Sequence, residues 1–216
     1  MITMKEVLIA GALVLTGVSP SISEESDGDI WAECRDTNSC TIEYDHLASQ
    51  KTDPFLFLGK IVDREHPQWK KYRKSLRHFP AVRDCLTKGE QTADTPNLLR
   101  IDWQRVGTSE NASVCVFRIA RSLGSVERVV QWLEFHEFQH SDLSGDRGDN
   151  FKPRFKSQPV SNILARWSID QYRKLNPSWI SWITGADLVY EYQLVLRFDQ
   201  NNIIAGVGVV TPTKLN

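Results

Sequence analysis

The sequence predicts an α+β fold, with a single domain that has a mostly antiparallel sheet and two or three packed helices. The chain of 216 residues is 41% hydrophobic and 25% charged, which is typical of a globular domain. Its predicted elements follow the order strand, helix, strand, strand, helix, helix, strand, strand. Neighbouring strands joined by short turns indicate hairpins, whereas a parallel sheet needs a regular alternation of strands and helices.

The N-terminus has the parts of a secretory signal peptide. Lys5 precedes an apolar run at residues 7–18, and small residues two apart follow at Ser21 and Ser23. We expect cleavage after Ser23, which would remove residues 1–23 and export the chain to the periplasm or the medium. The apolar run is shorter than the roughly 18–20 residues that a membrane span needs, so we expect no transmembrane anchor in the mature chain.

Two further regions follow the predicted signal peptide. Residues 24–50 are acidic and lack periodicity, which predicts an exposed N-terminal arm. Residues 51–216 carry the periodic patterns and form the predicted α+β domain. The first of these patterns is the continuous apolar run at residues 55–62, which predicts a buried strand.

Four cysteines, an even number, lie in the predicted mature chain. In an oxidising compartment this count favours two disulfides over free thiols. We predict that Cys34 pairs with Cys40, within the arm, and that Cys85 pairs with Cys115, between two core segments. A metal-thiolate site is the competing interpretation, but the Cys-x-x-Cys spacing typical of such sites is absent from the sequence.

Residues 66–80 have the pattern of an amphipathic basic helix. Four apolar residues recur at helical spacing on one side: Trp69, Tyr72, Leu76 and Phe79. The other sides carry Lys70, Lys71, Arg73, Lys74 and Arg77. This face can contact an anionic surface, such as envelope lipid or a polyanionic partner. It can equally be a solvated helix face, with the acidic arm as an internal partner.

The middle of the chain predicts a hairpin and then a helix. Residues 99–104 alternate between apolar and polar, residues 114–122 are mostly apolar, and residues 107–112 between them have turn composition. Both flanking segments are therefore predicted strands. Ser125 is the predicted N-cap of the helix that follows.

The C-terminal third predicts a loop, a helix and a second hairpin. Residues 141–159 are rich in Gly, Asp, Lys and Pro and predict a long exposed loop. Residues 161–175 predict a helix that ends before a proline. Strict alternation at residues 188–198, a turn at 199–202 and an apolar run at 203–210 predict two paired strands.

The segment His136-Glu137-Phe138-Gln139-His140 fits the H-E-x-x-H pattern. On a helix, residues i and i+4 share one face, so two imidazoles can bind one zinc ion while the glutamate accepts a proton from metal-bound water. In these five residues the chain resembles the zincin metallopeptidases. The resemblance implies that His136 and His140 are zinc ligands and that Glu137 is the general base. The same helical face continues an apolar stripe formed by Val126, Val129, Val130 and Leu133.

Two points of the zinc hypothesis stay open: the identity of a third ligand, and whether residues 136–140 are helical. Leu143 and Asp146 occupy the positions where metzincins have a glycine and a third histidine, and Glu191 lies in a predicted strand. Alternatively, the helix ends near His136 and residues 138–143 form a strand. Two histidines four residues apart on a strand are roughly 13 Å apart, too far to share one ion.

The balance of positive and negative residues argues against a nucleic acid as the partner. Lys and Arg number 26 against 27 Asp and Glu, giving a formal net charge of -1, so bulk charge supplies no attraction for a nucleic acid. Our favoured interpretation is an exported soluble protein, without cofactor or catalysis of its own, that binds an unknown protein or envelope component. The alternative is a zinc-dependent metallopeptidase that uses residues 136–140.

Overall fold

The structure is a computed structural model that describes residues 31–37, 39–107, 109–145, 156, 158–175 and 191–210. The predicted signal peptide, residues 1–23, lies outside this part of the chain. In chain order the elements are α1 (Ala32–Thr37), β1 (Leu56–Phe57), β2 (Lys60–Ile61), α2 (Trp69–His78), a 3-10 helix (Val82–Cys85), α3 (Lys88–Thr92), α4 (Trp103–Val106), α5 (Glu110–Leu123), α6 (Val126–Phe135), β3 (Gln139–His140), β4 (Ser144–Gly145), β5 (Ser161–Trp167), α7 (Ile169–Leu175), β6 (Tyr192–Phe198) and β7 (Ile204–Val210).

Within the described residues, the main sheet has five strands, all paired antiparallel. Its order is β3-β5-β6-β7, with the short strand β4 also paired to β5. Strands β5 and β6 pair from Ser161 opposite Phe198 to Trp167 opposite Tyr192, and their side chains alternate between buried and more exposed positions. The prediction of an α+β fold with a mostly antiparallel sheet is confirmed.

The predicted C-terminal strands are confirmed as β6 and β7 over the part that the structure describes. The described chain has three helices of ten residues or more, α2, α5 and α6. Helix α2 confirms the predicted basic helix, and α5 packs against both α2 and β7. Ser125 caps α6 as predicted, because its hydroxyl accepts a hydrogen bond from the Arg128 N–H at 3.3 Å.

The strand predicted at residues 114–122 is wrong, and so is the hairpin loop at 107–112, because helix α5 covers most of this region. Eleven of the fourteen residues of α5 are buried, among them every residue from 112 to 120, and most of this run is apolar. A short apolar run of this kind does not distinguish a buried helix from a buried strand. The buried Arg118 is accommodated in this helix because its guanidinium donates to oxygens of Phe79, Asp53 and Gln50.

The helix predicted at residues 161–175 is wrong in its first half, which is strand β5. In β5 the side chains of Ile163, Ala165 and Trp167 are buried in alternation with more exposed neighbours, and seven cross-strand pairs with β6 stabilise the extended form. Helix α7 begins only at the end of this strand. The predicted loop at 141–159 contains the short strand β4, and much of it lies outside the described residues.

Two other predicted strands are shorter than expected. The run at residues 55–62 is a small hairpin, β1 and β2, whose turn residues Leu58 and Gly59 have φ values of 50° and 77°. Two consecutive positive φ values are typical of a tight hairpin turn. The segment 99–104 forms one isolated bridge, from Ile101 to Leu86, before helix α4 begins.

Both predicted disulfides are present. Cys34 pairs with Cys40, and Cys85 pairs with Cys115. The second pair is fully buried and joins the 3-10 helix to α5. It therefore ties two core segments together, as predicted.

The region predicted as an exposed arm, residues 24–50, packs against the domain over its described part. Ile42 and Ala48 are buried, and the Asp45 N–H donates to the Ser122 carbonyl at 2.8 Å. The apolar side chains in this acidic stretch explain the difference, because they bury surface against the core. Among the described residues, no helix combines the length and the apolar character that crossing a membrane requires.

Candidate functional site

A cleft of about 680 Å³ opens where the C-terminal end of α6 meets α1, α7 and the segment 97–101. Its floor consists of buried apolar side chains: Leu99, Ile101, Trp103, Phe135 and Trp167. Its rim carries the charged side chains Arg35, Glu90, Arg100, Glu137 and Lys174. An apolar floor with a few convergent polar groups is the usual composition of a small-molecule site.

Helix α6 ends one residue before the H-E-x-x-H segment, and a pair of backbone hydrogen bonds shows why. The Phe138 N–H donates to the Leu133 carbonyl and the Glu137 N–H donates to the Glu134 carbonyl, both at 2.9 Å. These two bonds, with a positive φ of 59° at Glu137, form the Schellman motif that terminates helices. Phe138 is buried, so the motif also directs an apolar side chain into the core.

Glu137 occupies the position of this motif that usually belongs to glycine. The left-handed conformation costs a residue with a Cβ about 1–2 kcal/mol. The carboxylate lies in the cleft lining, where Oε1 is 3.3 Å from Nε of Arg35 and Oε2 accepts a hydrogen bond from Nε2 of Gln171 at 2.7 Å. The side chain thus links α1 to α7 across the cleft.

His136 is packed among aromatic rings and points one nitrogen at a donor. The imidazole centroid lies 4.4 Å from the ring of Trp132 and 5.1 Å from that of Phe135. Nε1 of Trp103 donates a hydrogen bond to Nδ1 over 3.3 Å. Because indole is a donor only, Nδ1 carries a lone pair and the proton of the neutral ring is on Nε2.

The environment of His136 keeps its imidazole neutral. Burial, followed by the positive charges of Arg100 and Arg35, lowers the pKa of His136 to about 3. Nε2 is shielded from water and has no hydrogen-bond partner among the described residues. A buried donor that lacks an acceptor costs roughly 1–3 kcal/mol.

The other predicted zinc ligand, His140, lies in strand β3 opposite Ala165. Its Nε2 is 3.5 Å from Oε1 of Glu134. The segment is therefore a helix end followed by a strand, and the shared helical face that the zinc hypothesis requires is not formed. In the part of the chain that the structure describes, no group of three or more His, Cys, Asp and Glu side chains is placed to hold a metal. Zinc binding stays a prediction for experiment.

The predicted Cys34–Cys40 disulfide holds one wall of the cleft. It closes the loop that follows α1, and α1 carries Arg35. The Arg35 guanidinium donates to the Phe135 carbonyl at 3.2 Å, and Nδ2 of Asn97 donates to the Cys40 carbonyl at 2.7 Å. The disulfide loop is thus attached both to the end of α6 and to the 97–101 segment.

The basic residues predicted to contact an anionic surface all lie on α2 and are exposed: Lys70, Lys71, Arg73, Lys74 and Arg77. Tyr72 and Leu76 of the same helix are buried in the core. One of these cations has a carboxylate partner on α5, where Oε1 of Glu110 is 3.8 Å from Nζ of Lys71. These cations lie outside the cleft lining, and their contact with an anionic surface stays a prediction.

Sequence reasoning missed most of the cleft. Arg35 lies in the region predicted as an exposed arm, and Arg100 and Trp103 lie in a segment predicted as a strand. His136 and Glu137 were singled out from the sequence, as a metal ligand and a general base. Phe138 was the available signal, because an apolar residue just beyond a helix end is typical of the Schellman motif.

No protein-family model, curated protein sequence or solved structure matches this chain. The residues of the cleft are therefore the basis for assigning a function.

Proposed function

We propose that this protein is exported and acts by binding a small organic molecule in the cleft. The observation that carries the proposal is the left-handed Glu137, whose carboxylate lies in the cleft lining at a position where glycine would be unstrained. Strained backbone of this kind is concentrated at functional sites. The residue in this strained conformation is a glutamate, and its carboxylate contacts Arg35 and Gln171 in the cleft.

The size and composition of the cleft support this function. Its volume of about 680 Å³ lies within the range of small-molecule sites. The buried rings of Trp103, Phe135 and Trp167 offer an apolar surface, and charged side chains around them supply directional contacts. Such a combination binds ligands that have both an apolar body and a polar group.

The hydrogen bonds of His136 and Glu137 favour binding over proton transfer. A general base needs a lone pair that can reach a substrate proton. Nδ1 of His136 accepts from Trp103 and Nε2 carries the proton, so the imidazole offers no such lone pair. Both carboxylate oxygens of Glu137 are engaged by Arg35 and Gln171.

Export is supported by the two disulfides, one of them fully buried. Disulfides form and persist in oxidising compartments and are rare in the cytosol. The N-terminal sequence features of a signal peptide point the same way.

Ligand-observed NMR tests the binding function. We expect saturation transfer from the oxidised protein to 2-naphthoate, 2-naphthamide or both, two probes with one shared ring system. Thr87 is exposed at the cleft, so Thr87→Trp should block the opening and abolish the signal. The matched control is Thr92→Trp, on an exposed residue of α3 outside the lining, which should retain it. If neither probe receives saturation transfer, the proposal is contradicted. Equal transfer in the Thr87 and Thr92 variants would also contradict it.

A further inference from the structure

We propose that the ligand of the cleft is an organic anion, whose acidic group accepts the Nε2–H of His136 beside Arg100 while its apolar body lies on the aromatic floor. This inference rests on the proposed binding function and specifies the chemical class of the ligand. His136, which the H-E-x-x-H pattern suggests as a metal ligand, is then the hydrogen-bond donor to that anion.

The hydrogen bond from Trp103 fixes which nitrogen of His136 is the donor. The indole N–H of Trp103 points at Nδ1 of His136, so the imidazole has its proton on Nε2. The ring cannot reverse these roles without setting the indole N–H against a second N–H. His136 is therefore a fixed donor and calls for an acceptor on the ligand.

Among the described residues, this donor has no acceptor. Nε2 is shielded from water and has no hydrogen-bond partner among the residues that the structure describes. Buried polar groups are paired in the great majority of native structures, so an orphaned one calls for an explanation. A ligand acceptor that enters beside the ring satisfies it.

The charges near His136 favour a negatively charged acceptor. The guanidinium groups of Arg100 and Arg35 both act on His136, disfavouring a further positive charge there. Among the described residues of the lining, there are three cations and two carboxylates, although the chain as a whole carries a net charge of -1. Glu137 is already paired with Arg35, and Glu90 accepts from the backbone N–H of Asn97. An acceptor in this field is most strongly bound when it is an anion.

The aromatic floor of the cleft offers a surface for the apolar body of the ligand. The floor beside His136 is made of aromatic rings, with the Trp103 centroid 5.7 Å and the Phe135 centroid 5.1 Å from the imidazole. The Arg100 guanidinium lies over the Phe135 ring at 5.6 Å. An acidic group near Arg100 would thus carry its apolar part directly onto the aromatic surface.

Calorimetric titration of the oxidised protein with 2-naphthoate and 2-naphthamide tests the class. These probes share their rings and differ in charge. We expect 2-naphthoate to bind at least about tenfold tighter, because charge-assisted hydrogen bonds are roughly twice as strong as neutral ones. Arg100→Gln should weaken 2-naphthoate about tenfold and leave 2-naphthamide unchanged, whereas Arg77→Gln, an exposed control on α2, should affect neither.

Two variants of His136 test its role as the hydrogen-bond donor. His136→Leu should weaken 2-naphthoate about 10- to 100-fold, as expected for a lost hydrogen bond to a charged group. His136→Gln places an amide N–H near the original Nε2 and should restore most of that loss. Thermal unfolding of both variants checks that they are folded at the temperature of the titration.

The outcomes separate this inference from the function on which it rests. Equal affinity for the two probes, or full 2-naphthoate binding in folded His136→Leu, overturns the anion proposal while leaving the cleft as a binding site. The latter result would mean that an ordered water alone satisfies Nε2. If neither probe binds, the proposed function and this inference both fail.

Discussion

Nε1 of Trp103 lies 3.3 Å from Nδ1 of His136 and donates a hydrogen bond to it. A protonated imidazole would present an N–H to this donor instead of a lone pair, and it would also face the charges of Arg100 and Arg35. Burial adds the largest penalty, so the pKa of His136 falls to about 3. The histidine is neutral throughout the physiological pH range.

This neutral histidine makes stability depend on pH. In the unfolded chain the pKa of a histidine is 6.5, so below that pH the unfolded state binds one proton that folded His136 excludes. We expect the free energy of unfolding to fall by about 1.4 kcal/mol per pH unit as the pH decreases from 6.5 toward 3. That destabilisation should be missing in His136→Gln, which has no titrating group at this position.

Denaturant titrations of the native protein and His136→Gln at pH 7 and pH 5 measure the difference. The native protein should lose about 2 kcal/mol more than the variant over this interval. The pKa of Asp53 is also shifted: burial raises it, but hydrogen bonds from His46, Arg121 and Thr52 lower it overall. Its contribution is lost only below its usual value of 3.8, outside this interval. Parallel losses in the two proteins would mean that His136 titrates normally.

The left-handed backbone at Glu137 predicts which of two substitutions gives the more stable protein. Glycine adopts this conformation without strain, so Glu137→Gly should be more stable than Glu137→Ala by about 1 kcal/mol. Both variants remove the same carboxylate and its contact with Arg35, so their difference isolates the backbone term. In a continuous helix through residues 136–140, alanine would instead be the more stable by about 1 kcal/mol.

Thermal and denaturant unfolding of the two Glu137 variants provide the measurement. A higher stability for the glycine variant supports termination of α6 at Phe135. The opposite order would restore the helix on which the zinc interpretation depends. Binding of 2-naphthoate to both variants should weaken equally, since each loses the contacts to Arg35 and Gln171.

The parts of the fold that sequence predicted correctly are those with an unambiguous pattern. The strict alternation in β6 has one buried face, and the basic side of α2 leaves its apolar side to the core. Spacing and compartment sufficed for the two disulfides. Helix α5 was missed because the mostly apolar run at residues 112–120 is compatible with a buried strand as well as with a buried helix.

The cleft was largely unpredictable because its residues come from distant segments. Arg35, Arg100 and Glu137 are brought together by the disulfide loop, the 97–101 segment and the helix end, and none of these contacts has a local signature. The motif at 136–140 did identify two cleft residues. The pattern does not report that the helix stops at Phe135, so the shared helical face expected for His136 and His140 could not be checked from the sequence.

The disulfide between Cys34 and Cys40 should matter more for binding than its short loop suggests. The double variant Cys34→Ser, Cys40→Ser leaves α1 attached through Arg35 and Asn97 but no longer closed into a loop. We expect 2-naphthoate to bind about tenfold more weakly, because the cleft wall must then be ordered on binding. The cost in global stability should be at most about 2 kcal/mol.

Calorimetry on the oxidised native protein and this double variant tests the role of the wall. Unfolding curves establish that the double variant is folded at the temperature of the titration. Unchanged affinity in a folded variant would mean that α1 is positioned by its noncovalent contacts alone.

Zinc content distinguishes the binding protein from the metallopeptidase. Helix α6 ends at Phe135, and His140 lies in β3 beside Glu134, so the two histidines are not presented on one helical face. After incubation with zinc and gel filtration, elemental analysis should therefore find the same substoichiometric metal in the native protein, His140→Ala and His78→Ala. His78 is an exposed residue of α2 and serves as the control. About one zinc per chain, retained in the His78 variant and lost in the His140 variant, would show that metal binding reorganises residues 136–140 and would make the protein a zinc enzyme candidate.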